Sequence, residues 1–408
     1  MAKSEIISCI DVGTTKVCSI MAKAGHSGDL QVLGVGVTHS KGLHKGLVVN
    51  ITEARESIRS SVRKAEQASG FRMESAYVGV TGRHITSLNR KGVVSISRGD
   101  RLVRSDDLKR VLRSARTFTV PNDRKLLHVI PRGYALDGQV GVKNPVGMHG
   151  FRLDVETHVI TAAVSSVQNL VKCIRGSGLE IEDLVLEPLA SAQAVIRPDE
   201  RDAGVVLADI GGGTTDIAIF KEGSICHTAI LPVAGYQLTR DIAIGLGLPF
   251  DVAEMMKRKY GTVMPLYNDE EEEANTMMGM ENGYGVSYQD LNDIIRARME
   301  EILNLIALEL PSEHVKSVPA GLVLTGGCAN LRGIETMGQE VLGLPVRVGM
   351  PTGVYGITDI LPDPAYATSV GLALWGSKKH TGEESWQNRG LSETLKRFVI
   401  RMRRIVVH

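Results

Sequence analysis

Two short stretches carry the residue types that grip phosphate. "DVGTTK" at 11–16 sets Asp11 ahead of Gly13, Thr14, Thr15 and Lys16, and "DIGGGTTD" at 209–216 sets Asp209 ahead of Gly211, Gly212, Gly213, Thr214 and Thr215, with Asp216 behind them. Glycines let backbone N–H groups approach an anion because no Cβ intervenes, and threonine hydroxyls add donors at the same place. An aspartate at the end of the preceding strand is placed to hold Mg²⁺ through water, since that ion keeps much of its hydration shell. Asp11 and Asp209 are therefore the candidate metal residues. A single such stretch is weak evidence. Two, nearly half of the 408-residue chain apart, point to two similar halves closing on one polyphosphate from opposite sides. A pair of ordinary hairpins is the plain alternative.

The flanking residues say what positions these turns. β-Branched and apolar runs stand on both sides of each, "IISCI" and "VCSIMA" around the first and "VVLA" and "IAIF" around the second, which reads as strand, tight turn, strand. A P-loop needs G-x-x-x-x-G-K-[ST] and a dinucleotide site needs G-x-G-x-x-G opening a helix; neither pattern is in the chain. A third glycine pair, Gly326 and Gly327 in "AGLVLTGGCANLRGIE" (320–335), follows a buried strand and leads into a helix. Residues 52–69 have a helical pattern with Thr52 as N-cap and Gly70 as stop. Residues 75–82 form a strand, and 84–159 change texture to short strands and turns with one helix at 108–116. Helical patterns return at 162–175, 187–196, 237–258 and 290–310, with a polar acidic loop at 264–285. The folded body is expected to end near Trp375. The whole reads as an α/β fold of two halves around a cleft.

Bulk properties set limits. The chain is too long for one hydrophobic core, and with 43% hydrophobic and 23% charged residues it has the profile of a soluble globular protein. A net charge of +1 supplies no global field for nucleic acid or membrane, so any such binding is local. The five cysteines are scattered without a C-x-x-C pair, which argues against a disulfide framework or structural zinc and fits a reducing cytoplasm. Glu5 and Asp11 interrupt the first apolar run before a signal-peptide core forms, and no run of 18 apolar residues would span a bilayer.

The C-terminus is different. Residues 377–390 have linker composition. Taken as a helix from Ser392, the last segment gathers Leu391, Leu395, Phe398, Met402, Ile405 and Val406 into a stripe roughly 100° wide, with Lys396, Arg397, Arg401, Arg403 and Arg404 outside it. Ile400 and Val407 fall on the polar side and blur the pattern. A short basic amphipathic helix on a linker is the signature of in-plane binding to anionic lipid. Each basic residue contributes about 1 kcal/mol, so five give at most about 5. One tail then holds a monomer weakly, and tails linked by polymerisation hold strongly through effective concentration. The alternative is a terminal helix folded back on the body. No nucleic-acid partner is expected, because Phe398 is the one aromatic platform of the tail.

The glycine stretches resemble the actin/Hsp70/sugar-kinase superfamily: "DVGTTK" its first phosphate motif, "DIGGGTTD" its second, "LTGGCANL" its adenosine motif. The resemblance implies duplicated ribonuclease-H-like halves around a nucleotide cleft, ATP with Mg²⁺, and Glu254, Lys257 and Arg258 of "AEMMKRKYG" beside the adenosine with Gly326 and Gly327. Cys328 stands where the superfamily usually has a small residue and is small enough to fit. Within the superfamily, "VTGRHITSLNRKG" (80–92) and "LLHVIPRGYALDGQVGVKNPVGMHGFRLDVETHVIT" (126–161) are similar to the FtsA family of bacterial cell-division proteins, and the likeness runs through nearly the whole chain.

That resemblance implies an ATP-binding protein that forms actin-like filaments at the cytoplasmic face of the inner membrane, at the division septum. It implies partners as well: the C-terminal peptide of the tubulin-like FtsZ, other divisome proteins, further copies of the chain and anionic lipids. FtsZ would dock on 231–305, where Arg298 matches a family position and Arg296 is a neighbour. The expected divisions are 1–83 with 161–196 and 355–376 for the first half, and 84–160 for an inserted α+β subdomain. The second half is 197–230 with 306–354, carrying 231–305 as its own subdomain, and 377–390 and 391–408 are linker and membrane helix. A pilus-assembly scaffold or a small-molecule phosphotransferase of the same superfamily is the alternative, and the insert motif and basic tail weigh against both. For hydrolysis, Glu187 and Gln193 are candidates by location only, so no catalytic residue is assigned and turnover is expected to be slow at most.

Overall fold

The computed structural model describes residues 6–24, 29–117, 120–264, 286–310 and 318–381. The acidic loop from 265 onward, and the linker beyond 381 with the amphipathic segment 391–408, lie outside the described residues.

The two apolar repeats become the centres of two sheets of the same design. In the first, the order is β11 (Glu180–Leu186), β6 (Ser75–Val80), β1 (Ile6–Val12), β2 (Lys16–Ala24), β3 (Leu30–His39) and β17 (Val354–Gly356). β1, β2 and β3 form an antiparallel meander, while β6 and β11 run parallel to β1 on its other side. The second sheet repeats this as β14 (Ser224–Leu231), β13 (Thr215–Lys221), β12 (Val205–Ile210), β15 (Leu322–Thr325) and β16 (Val346–Val348). Again the meander is antiparallel and the two outer strands parallel. The central strands are buried on both faces, which is why they read as unbroken apolar runs. Along β12 the faces still separate: Val205 and Leu207 join one core, Val206, Ala208 and Ile210 the other.

Helices cover the sheets. α1 (Ile51–Ser69) lies on β2 and β3 after a small hairpin of β4 (Leu43–His44) and β5 (Leu47–Val48). Its N-cap is Asn50, whose Oδ1 accepts from Thr52 N at 3.0 Å and Glu53 N at 3.3 Å. Thr52 therefore sits inside the first turn and is not the cap, because it is Asn50 that keeps the extended backbone a cap requires. Gly70 ends the helix in the left-handed region, at φ 73°.

Between β6 and α3 (Val164–Gly176) the chain leaves to build a separate subdomain. Its sheet has the order β7 (Ile85–Ser95), β10 (Arg152–Ala163), β8 (Arg124–Leu136), β9 (Gln139–Val142), all antiparallel. α2 (Ser105–Arg116) presses Val111, Leu112 and Ala115 onto it, making a core with Ile96, Leu153 and Val155 that is distinct from the other two.

α4 (Glu187–Val195) packs in the first half's core, and α5 (Pro198–Ala203) leads from it into the second half, which carries α6 (Gly235–Gly245), α7 (Phe250–Tyr260), α8 (Tyr288–Glu309) and α9 (Ile334–Leu342). α10 (Ala367–Thr381) returns to pack on α4 and β1. It runs past Trp375: residues 377–381, expected as linker, are its last turn. Lys378 Nζ donates to Gln193 Oε1 at 2.5 Å and Lys379 pairs with Asp183, so partners distant in sequence fix a segment of linker composition.

Candidate functional site: a cleft between two glycine turns

The turn between β1 and β2 and the turn between β12 and β13 meet tip to tip. A Cβ on Gly212 would lie 2.3 Å from Thr15 Cγ2, and one on Gly213 would lie 2.3 Å from Thr14 Oγ1. No side chain fits at either position, so glycine is required there by close approach. The second turn closes on itself through Gly211 N donating to Thr214 O at 3.0 Å. The segment after β14 braces it, with Tyr236 N donating to Gly212 O at 2.7 Å, Gly235 N to Gly211 O at 3.1 Å and Thr215 Oγ1 to Val233 O at 2.7 Å.

Behind the tips stand the two aspartates, each one residue before its strand ends and both buried. The start of α10 holds both. Ser369 Oγ donates to Asp11 Oδ2 at 2.6 Å and Thr368 Oγ1 to Asp209 Oδ2 at 3.0 Å; Ser191 Oγ of α4 adds a second donor to Asp209 Oδ2 at 2.6 Å. Asp216, the last letter of the second motif, accepts from Thr81 Oγ1 at 2.7 Å. Glu187 opens α4 and is also buried.

Burial is the main force on these four carboxyls, and it raises all of them. Asp11 and Asp209 go up, with Lys16 and the hydroxyl donors pulling the other way. Burial and then the Asp209 charge push Asp216 up to about 8. Glu187 rises well above the usual carboxylate range through burial and then the charges of Asp11, Asp216 and Asp209. Lys16 Nζ is the nearby cation; it donates to Ala365 O and lies 4.7 Å from the centre of the Tyr366 ring. Buried carboxylates are costly without a counter-charge. Hard oxygen acceptors fixed by hydroxyl donors are of the chemistry that suits Mg²⁺. Among the described residues no three His, Cys, Asp or Glu side chains are grouped as direct metal ligands. Next to Glu187, a small cavity of about 20 Å³ lined also by Val12, Thr81 and His84 has room for about one water.

The third glycine pair closes the cleft's other side. Gly326 follows β15, and Cys328 Sγ lies 3.7 Å from Gly211 O. Lys257 Nζ pairs with Glu254 Oε2 at 2.5 Å and donates to Thr239 Oγ1 at 2.8 Å, and Thr239 bonds Glu254 in turn. Lys257, Cys328 and Gly211 all surround Gly235, and the Arg258 charge acts on Tyr366. The structure thus brings Asp11, Gly13–Lys16, Asp209, Gly211–Thr215, Glu254, Lys257, Gly326 and Gly327 together around the meeting point of the two turns. Sequence reasoning missed Ser191, Thr368, Ser369 and Thr81, which carry no motif. Gln193 is turned away, its amide oxygen bound to Lys378.

The two arginines lie elsewhere, on different faces of α8. Arg298 Nε donates to Asp241 Oδ2 of α6 at 2.5 Å and its guanidinium also pairs with Glu301. Arg296 donates to Val263 O at 3.4 Å and lines an open hollow of about 350 Å³ with Glu300, Asn304, Met337, Glu340 and Val341. Leu395, Lys396, Arg397, Phe398, Arg401, Met402, Arg404 and Ile405 lie outside the described residues.

Comparison with known proteins decides the family. The sequence model of "Cell division protein FtsA" matches residues 206–371, and that of the "SHS2 domain inserted in FTSA" matches 82–161. The "Cell division protein FtsA" of Pseudomonas aeruginosa is 41% identical over 390 residues, covering 95% of this chain and 93% of that relative. This chain belongs to the FtsA family of cell division proteins. Solved structures give the FtsA-family chain its wider fold. It is similar to a PilM–PilN type IV pilus biogenesis complex, at TM-score 0.64 and 18% identity over 91% of this chain and 98% of that one. It is also similar to MreB5 of Spiroplasma citri bound to AMPPNP, at TM-score 0.55 and 14% identity over 94% and 99%. The fold is actin-like, with an SHS2 subdomain inserted in its first half.

Proposed function

We propose that this cell-division protein is an ATP- and Mg²⁺-dependent scaffold that polymerises on the inner membrane, tethers FtsZ to it and helps to recruit the divisome. The observation that carries the nucleotide reading is the meeting of the two glycine turns, with both buried aspartates held by one helix. Backbone N–H groups of Gly13–Thr15 and Gly212–Thr214 would bind the phosphates, and Asp11 and Asp209 would hold the ion through water. Bound Mg²⁺ would neutralise charge on the phosphate chain. Lys16 would exchange its contact with Ala365 O for a phosphate oxygen. Glu254, Lys257 and Arg258 would flank the adenosine. MreB5, a protein of the same fold, was solved with AMPPNP, which supports a nucleotide in the corresponding cleft.

Hydrolysis needs a positioned water and a group to orient it. Glu187, beside a cavity of one-water size, is the group this chain offers by location, and burial and then the neighbouring carboxylates raise its pKa. The phosphates act mainly by biasing cleft closure and with it assembly.

For FtsZ, Arg298 is the basic residue of the docking face, and an acidic peptide there has to displace Asp241 and Glu301 from it. Arg296 lies on the wall of the neighbouring hollow and is the second contact. The basic amphipathic tail supplies the membrane anchor. The test is sedimentation with anionic vesicles in the presence of ATP and FtsZ, comparing the full chain with one ending at Gly390. The full chain should carry FtsZ down with the vesicles and the shortened chain should not. Equal recovery removes the tail from the mechanism, and no FtsZ in either pellet overturns the tether.

A further inference from the structure

We propose that the inserted subdomain is coupled to the phosphate cleft by a hydrogen-bonded seam between two sheet edges, so that a partner bound to the insert and a nucleotide in the cleft influence each other's binding. β7 is one edge of the insert's sheet and β14 is an edge of the second half's sheet. An edge strand presents backbone groups without ladder partners. Here Ser87 Oγ of β7 donates to Thr228 O at 3.1 Å and Asn89 Nδ2 donates to Cys226 O at 3.1 Å, so insert side chains satisfy two carbonyls of β14.

A buried histidine locks this arrangement. His158 on β10 stands directly opposite Asn89 in the sheet register, with Nδ1 2.7 Å from Asn89 Oδ1 and Nε2 3.1 Å from Thr228 Oγ1. Because the Asn89 amide nitrogen donates to Cys226 O, its oxygen must accept. His158 Nδ1 therefore carries the proton and Nε2 accepts the Thr228 hydroxyl. One proton assignment satisfies every member, which makes the seam specific as well as cohesive. Burial keeps the ring neutral, holding its pKa down at about 3.

The seam is wired to the site. β14 pairs with β13 so that Leu231 faces Thr215 and Ile230 faces Asp216, the last residues of the second phosphate motif. The insert's root reaches the same place, since Thr81, just before the insert, donates to Asp216. The insert grows out of the first half yet is fastened to the second at both points. Any rotation of the halves that parts the glycine turns must shear the seam or drag the insert along. Coupling of this kind is reciprocal. The nucleotide arm of the argument rests on the proposed function; the seam itself does not.

The test is hydrogen exchange of the full-length protein, read by mass spectrometry for wild type, Asn89→Ala and Thr228→Val. The second variant keeps the volume and the carbonyl of β14 and removes one hydroxyl. Without nucleotide, both variants should exchange about five- to tenfold faster across 209–216 and 226–236 as well as in β7, the scale of losing one or two hydrogen bonds. Exchange in α1 should be unchanged, which separates a broken seam from general unfolding. Faster exchange confined to β7 overturns the coupling. With AMPPNP and Mg²⁺, wild type should gain protection in both the turns and β7, and the variants in the turns alone. Protection of the turns with β7 unmoved in wild type also overturns the coupling. No protection of the turns overturns the nucleotide reading, and the nucleotide-free comparison still decides the seam.

Discussion

Gly212→Ala is the sharpest probe of the cleft. Gly212 is not in the left-handed backbone region, so alanine adds no backbone strain and only a methyl group. That methyl would stand 2.3 Å from Thr15 Cγ2, 2.9 Å from Oγ1 and 3.1 Å from Cβ. Carbon atoms settle at about 3.5–4.0 Å. Rotating the Thr15 side chain moves Cγ2 and Oγ1 but leaves its Cβ at 3.1 Å, so the turns must still part by about 0.4 Å or more. Overpacking of this kind costs about 1–3 kcal/mol, and charged against cleft closure it weakens Mg–ATP binding about 5- to 150-fold. Calorimetric titration of wild type, Gly212→Ala, Thr15→Gly and the double variant makes the cause explicit. If the clash is the cause, the double variant binds no worse than Thr15→Gly alone, a coupling of about 1 kcal/mol or more. Affinity of Gly212→Ala within twofold of wild type, or losses that simply add, would refute a nucleotide-bound cleft in which the turns meet as they do here.

Three further outcomes follow from single residues. The stability that the protonated Asp216 carboxyl contributes is complete below about pH 4 and lost as pH rises through its folded value of about 8. Urea unfolding of the nucleotide-free protein should therefore show wild type losing about 3 kcal/mol between pH 5.5 and 8 relative to Asp216→Asn, which keeps an acceptor for Thr81; parallel curves would contradict the burial argument. Asn50→Ala removes the cap of α1 and should lower the unfolding free energy by about 1 kcal/mol with Mg–ATP affinity unchanged. Arg298→Glu sets a third carboxylate beside Asp241 and Glu301 and should weaken binding of the FtsZ C-terminal peptide at least about tenfold in fluorescence anisotropy, with ATP affinity intact. Peptide affinity left unchanged by Arg298→Glu but lost in Arg296→Glu moves the docking site to the hollow beside α9.

The residues of the cleft that could be read in the sequence are those whose chemistry is local. A glycine turn, its threonines and the aspartate one residue before the strand end are fixed within a few positions, so "DVGTTK" and "DIGGGTTD" announced both the turns and their strands. The residues that were missed act across the chain. Ser369 reaches Asp11 over 358 positions and Thr368 reaches Asp209 over 159, and neither hydroxyl differs in sequence from an ordinary one inside a helix. The start of α1 shows the limit at short range: Asn50 and Thr52 are both capping residues, and the backbone conformation at Asn50 chose between them.

The sequence by itself determined the duplicated strand–turn–strand core, the glycines of its two turns, and the position of the insert, because periodicity and turn chemistry depend on near neighbours. Only the tertiary structure decided what those parts do to one another. It gave Arg298 the Asp241 carboxylate of α6 and Arg296 the Val263 carbonyl as partners, extended α10 through a stretch of linker composition by giving Lys378 and Lys379 distant partners, and stitched an insert from the first half onto an edge strand of the second. Each of these depends on which distant groups become buried together, and burial makes their pairing obligatory.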